Sequence, residues 1–208
     1  EYSPNKARKL TGDEAPVLVM GDYHAGEHDE PTVAAWTEVI NQLGIQEVVF
    51  HDMFNGASIN HHEEKDIMSR AERIRKGLDS LETELSITAD EFDRILGLKT
   101  VKKGVVVKSN HDDFIDRWVR PYKFAKDPVN AEFGTILAAD IIKASKLGIR
   151  KDFFKTALEL NGAPKQMDKI KWLSADEDYV VGGIHLGAHG DRSSNGARGS
   201  IKGLATSY

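Results

Sequence analysis

The chain has 208 residues, 40% of them hydrophobic and 29% charged, and a net charge of −5. That is enough apolar material for one large domain, and the acidic balance excludes a uniformly basic nucleic-acid surface while leaving room for a local basic track. There is no cysteine, so disulfides and thiolate sites are excluded and any metal is held by His, Asp, Glu or Asn.

Residues 1–14 are polar, carry Pro4 and Gly12, and read as a tail or linker before a domain over 15–208. The chain opens on Glu1 rather than Met and shows no signal peptide, so the native start is expected upstream. Pro16 leads into a first strand over 17–21, which runs into Asp22-Tyr23-His24. Pro31-Thr32 marks a helix start, Val33, Trp36, Val39, Ile40 and Leu43 recur at helical spacing, and Gly44 stops it. A second strand over 47–51 ends in His51-Asp52. Strand, helix and strand make a βαβ unit, so the two strands are expected to be parallel.

After a polar loop over 55–62, Ile67, Ile74, Leu78, Leu81 and Leu85 predict one long helix. Its Arg70, Arg73, Arg75 and Lys76 read as a solvated face. Thr88 and Glu91 form a capping box for a further helix over 88–96, closed by Gly97. The third strand, Gly104-Val105-Val106-Val107, stops at Ser109-Asn110-His111-Asp112-Asp113. Helices are expected over 112–120, broken by Pro121, and then around 131–142 and 153–160. Trp172 and Leu173 read as a link to a fourth strand over 179–184, which leads to His185 and His189. A Gly- and Ser-rich loop over 193–203 follows. No apolar run approaches the roughly 20 residues of a membrane span, and a cytoplasmic protein is expected.

Four candidate strands therefore end in oxygen and nitrogen ligands. At a strand end, residues i and i+2 face one side, so Asp22 and His24 can reach one ion. Alone, that pair is equally a loop-capping Asp beside a surface His. Asp52 alone is equally a turn residue, and Asp112 or Asp113 equally a helix cap. His185 competes with His189 as the last ligand, because both follow the fourth strand. Arg192 and Arg198 suit bidentate phosphate contacts.

The order of these motifs changes that balance. Asp-x-His, then Asp52, then Asn110-His111-Asp112, then His189-Gly190 resembles the series of the calcineurin-like metallophosphoesterases from Val17 to about Gly199. The family's second motif is usually Gly-Asp, here His51-Asp52, and its third begins with Gly where this chain has Ser109. Its closing Gly-His-x-His is absent, since no histidine follows His189, and the missing part is expected beyond Tyr208. Within the family, His51-Asp52-Met53-Phe54-Asn55-Gly56, His61-His62 and the segment from His189 to Gly199 are similar to phosphoesterases of large tailed phages.

The resemblance implies a layered α/β fold with helical insertions at about 57–100 and 131–162. It implies two divalent ions, manganese first, with iron or zinc as alternatives. Asp22 and His24 would hold one ion, Asn110 and His189 the other, and Asp52 would bridge them. His111 would serve as the proton donor, oriented by Asp112, and would not ligate metal. Asn55, His62, Arg192 and Arg198 would contact substrate. The implied activity is phosphodiester hydrolysis, most simply a phage DNase working in the host cytoplasm. A phosphomonoesterase and an inactive member that binds DNA or protein are the alternatives. DNA is the expected partner, with a homo-oligomer or a further phage or host protein in addition.

Overall fold

The computed structural model describes residues 16–60, 66–175, 177–187 and 189. Its centre is a parallel sheet in the order β1 (Val17–Met20), β2 (Glu47–Phe50), β3 (Lys103–Val106) and β4 (Ile170–Trp172). The register pairs Met20 with Phe50, Phe50 with Val106, and Val106 with Trp172. All four strands thus stop at one level, and the chain leaves each of them at the same edge of the sheet. The pairing runs one step further through backbone hydrogen bonds from His51 to Met20, Val107 to Phe50 and Leu173 to Val106. That step holds the first residues of the site as firmly as the strands themselves.

The crossovers are helical, as parallel strands require. α1 (Glu30–Leu43) starts at Asp29, whose carboxylate accepts from the Thr32 amide, and ends at left-handed Gly44. α2 (Ile67–Lys76) and α3 (Leu81–Leu96) join β2 to β3. α4 (Asp112–Val119), α5 (Ala131–Lys146) and α6 (Phe153–Leu160) join β3 to β4.

Side-chain alternation gives the sheet two unequal faces. Met20, Val48, Phe50 and Val106 join the main core, with Leu85, Phe92, Ile95 and Leu96 of α3 and Phe154 and Leu158 of α6. Val49, Val105, Val107 and Leu173 form a much smaller cluster with Val17, Tyr179 and Leu186. Gly104 lets α3 close on the sheet: a Cβ there would stand 2.8 Å from Leu96 Cδ2 and 2.9 Å from Phe50 Cε2.

Four expectations are corrected. The long helix over 67–85 is two helices, because Gly77 turns left-handed at φ 70° and Ser80 caps a new start through the Thr83 amide. Thr88 is therefore no cap; it lies inside α3 and its hydroxyl donates to the Glu84 carbonyl. Residues 170–172 are not a link but the fourth strand of the sheet. Residues 179–184 are not one strand, since Gly182 and Gly183 both take positive φ and fold β5 (Val180–Val181) onto β6 (Ile184–His185) as an antiparallel hairpin. Among the described residues, no helix is long and apolar enough to cross a membrane. The tail over 1–14 and the loop over 193–203 lie outside the described residues.

Candidate metal centre

The turns after β1 and β2 share a rare backbone. Asp22, His24 and Asp52 have φ of 49°, 48° and 51°, a left-handed conformation that costs side-chain-bearing residues free energy and collects at functional sites. The two turns are laced together by backbone hydrogen bonds from His24 to Asp52 at 2.8 Å and from Ala25 to Met53 at 2.9 Å. Tyr23 anchors them from below. It is 1% exposed, its hydroxyl bonds Glu91 and Arg94 of α3, and its ring stacks on Trp36. His28 belongs to the same lock, with its Nε2 3.0 Å from Glu30.

One ligand atom from each of His24, Asp52 and His111 lies within 4.8 Å of the others. His24 Nε2 and Asp52 Oδ1 are buried and have no hydrogen-bond partner among the described residues. Burial first, and then the neighbouring His111, lowers the His24 pKa, against the pull of Asp52, Asp22 and Glu27. The ring is therefore neutral at pH 7, the form that ligates metal. For Asp52, burial pushes the carboxyl up, but the hydrogen bond and charge of His189, with help from Ser109 and His111, hold it below its usual value.

The other Asp52 oxygen faces a second group. His189 Nε2 lies 3.0 Å from Asp52 Oδ2 and 2.9 Å from Asn110 Oδ1. Two ligands at right angles around an ion with bonds of roughly 2.1 Å stand about 3 Å apart, so these contacts match the spacing of neighbouring ligands. Asp52 thus stands between His24 with His111 and His189 with Asn110. His51 was not singled out as a ligand, yet its ring stacks on His189 at 5.6 Å, with the two Nδ1 atoms 3.4 Å apart. Burial and the charge of His189 lower its pKa. The donor set of imidazoles, carboxylate and amide, with two buried atoms unpartnered among the described residues, suits a divalent ion at His24 and Asp52, with His111 close beside them.

Asp22 lies outside that trio. It is exposed, and its charge offsets a small part of the lowering of the His24 and His51 pKa values. His185 is no rival to His189: its ring is exposed and paired with Asp178 in the hairpin.

Two expected roles change. His111 is not oriented by Asp112. Its Nδ1 lies 2.7 Å from the Asn55 carbonyl, which only accepts, so Nδ1 carries a proton and Nε2 is left for chemistry. Adjacent helix residues do not face each other, and the Asp112 carboxylate turns back to accept from the Ser109 amide at 3.0 Å. Asp112 is buried, and burial pushes its pKa to about 7. Nor does Asn55 offer its side chain to a substrate. It is 8% exposed, and its amide donates to Glu27 at 3.2 Å. His111 also has a ligand atom within 4.8 Å of those of His24 and Asp52. His62, Arg192 and Arg198 lie outside the described residues.

Glu84 is the residue the sequence hid. It reads as surface charge on a helix, yet it is 2% exposed. Its carboxylate accepts from the Ala57 amide at 2.8 Å and the Ser58 amide at 2.9 Å, and from the Ser58 hydroxyl. It so fixes the 3-10 turn Ala57–Ile59, just after the Asn55 carbonyl that holds His111. Burial raises its pKa from 4.5 to about 7. A carboxyl whose folded pKa is raised holds its proton better when folded, so its contribution to stability falls as pH rises between those values. Glu84→Gln is expected to flatten the decline in denaturation midpoint between pH 4.5 and 7; an unchanged slope would show that the group ionises freely in the folded chain.

A larger cleft, of about 690 Å³, opens near Lys108, Asp152, Phe153 and Trp172 and is lined by Asp112 but by none of the trio. Its central amine is already engaged, with Lys108 Nζ 3.0 Å from Asp152 and 3.4 Å from Asp113.

The chain is 27% identical over 197 residues to Protein A1 of Escherichia phage T5, a match covering 89% of this chain and 34% of that protein. The chain therefore spans about a third of the length of the curated relative it matches. No protein-family profile matches the chain, and no solved structure matches it. The comparisons thus establish a distant likeness to a phage protein over most of this chain, on a parallel α/β fold whose sheet edge gathers three groups able to hold a metal.

Proposed function

We propose that the chain is a dimetal-dependent phosphodiesterase of phage type that hydrolyses nucleic acid, a DNase in the first instance. The observation that carries this reading is Asp52. Its Oδ1 is buried and unpartnered among the described residues, a carboxylate oxygen lies within 4.8 Å of ligand atoms of His24 and His111, and Oδ2 meets His189, which also meets Asn110. A carboxylate so placed supplies the negative charge that two neighbouring cations need between them. His24, Asp52 and Asp22 would hold one ion, and Asp52, Asn110 and His189 the other. Manganese or iron suits imidazole with hard oxygen ligands best, and zinc is the alternative. When bound, such a pair polarises a phosphoryl oxygen and supplies hydroxide at neutral pH.

The chain's own residues do the rest. The Asn55 carbonyl fixes the His111 ring, so that Nε2 is the nitrogen presented to the reaction. In its imidazolium form His111 gives the Nε2 proton to the departing sugar oxygen. The lowered pKa of His24 keeps that ring unprotonated for ligation.

The test is hydrolysis of linear DNA and of bis(p-nitrophenyl) phosphate with manganese, against the same protein in EDTA. Cleavage of both that requires the metal is expected. Turnover of a phosphomonoester with none of the diester or DNA would overturn the reading, as would no turnover with manganese, iron or zinc.

A further inference from the structure

A second feature lies apart from the metal centre. A groove of about 400 Å³ is lined by Arg70, Arg73, Lys123 and Lys126, with Asp79 and Asp127 the acidic groups in its wall. Two of the cations come from α2 and two from the 3-10 turn Lys123–Lys126, some fifty residues later. In a chain of net charge −5, four converging cations against two carboxylates are a local reversal of sign. Like charges brought together this way repel, and a polyanion lying in the groove would remove that repulsion. Arg70 and Lys126 are exposed and make no ion pair among the described residues.

α2 adds a second observation. It buries no side chain, and its Ile67, Met68 and Ile74 are exposed. Core packing therefore does not explain its position. Its ends are fixed by the Asp66 and Gly77 caps, Lys76 pairs with Glu27, and the helix presents the arginine wall of the groove.

The groove shares chain segments with the metal centre. Its other lining residues include Ser58 and Asn60, just after the Asn55 carbonyl that holds His111, and Trp118 of α4. α4 begins next to His111. At about 1.5 Å per residue, Trp118 lies roughly 10 Å along that helix from His111. A strand in duplex geometry advances about 3.4 Å per nucleotide along its axis, so about three nucleotides in that geometry span the distance from His111 to Trp118.

We infer that the α2 groove, through Arg70, Arg73, Lys123 and Lys126, binds the phosphodiester backbone of a nucleic-acid strand about three nucleotides from the bond held at the metal centre. This extends the proposed phosphodiesterase reading and, in locating the scissile bond, rests on it. The groove serves affinity and register, not the chemical step.

Two measurements separate the groove from the centre. The first is a titration of a 12-nucleotide single-stranded DNA in EDTA at several salt concentrations, which reads phosphate contacts without catalysis. The wild-type chain and Arg70→Ser/Lys126→Ser, two exposed changes that leave the core untouched, are compared. The variant is expected to bind about tenfold more weakly at low salt, with a log–log salt slope smaller by about 1.4, two contacts at about 0.7 each. The second is hydrolysis of bis(p-nitrophenyl) phosphate with manganese, which is too short to reach the groove and is expected to be unchanged in the variant. Equal affinity and equal slope in the two proteins would overturn the groove whatever the diester assay gives. Unaltered diester turnover beside that result would leave the metal centre standing. Loss of diester turnover in the wild type, with the difference in DNA binding intact, would instead remove the catalytic reading and keep the groove.

Discussion

Asp52→Asn is expected to abolish retention of divalent metal and to lower phosphodiester hydrolysis by more than about 100-fold. Asparagine keeps the size of the side chain and tolerates the left-handed backbone at φ 51°, so the change is one of charge. The carboxylate meets both halves of the centre, with His24 and His111 around it on one side and His189 at 3.0 Å on the other. Partners that stand merely behind metal ligands are worth about 10–100-fold, and a shared ligand is worth more. A readout independent of turnover is the melting temperature with and without manganese. An ion that binds only the folded state raises it, so manganese is expected to stabilise the wild type and not the variant. Equal stabilisation of both would place the ion elsewhere.

For His111→Ala, turnover is expected to fall about 10²–10⁴-fold, the usual weight of a positioned proton donor, while manganese content stays near that of the wild type. The expectation comes from the Nδ1 contact to the Asn55 carbonyl at 2.7 Å, which fixes one nitrogen and reserves the other for a proton. Because His111 also stands within 4.8 Å of His24 and Asp52 ligand atoms, the same measurement decides its place. Loss of metal together with activity would make it a ligand.

The sequence revealed what short-range pattern encodes. The valine-rich runs before Asp22, Asp52 and Asn110 are strands in parallel register, and Pro31 and Gly44 bracket α1 as expected. Because parallel strands level their ends, ligands placed after three such runs meet, and no knowledge of the helices is needed to say so. Asp22 shows the limit of that argument, since a left-handed turn of the backbone leaves it exposed beside the trio. Isolated short elements were harder. Ile170-Lys171-Trp172 is too brief to show a period, and it becomes a strand only because β3 offers an open edge. Contacts through the main chain were out of reach: the Asn55 carbonyl orients His111, and no side-chain pattern advertises a carbonyl. Glu84 looked like any helix-surface carboxylate until the fold closed over it. Arg70, Arg73, Arg75 and Lys76 read as one solvated face, yet Arg75 pairs with Glu72 whereas Arg70 and Arg73 share a groove with Lys123 and Lys126.

The three left-handed residues set selection for fold against selection for activity. Asp22, His24 and Asp52 hold a conformation that glycine adopts without strain. Each costs about 1 kcal/mol or more relative to a relaxed backbone. A library of variants sorted only for resistance to heat, in the absence of metal, would therefore enrich glycine at positions 22, 24 and 52. The most robust survivors of such a sort would be those that had erased the proposed ligands. With manganese present throughout, ligation would tip the balance the other way and the original residues would persist. In a lineage of such chains, glycine at these turns would record when the metal ceased to matter.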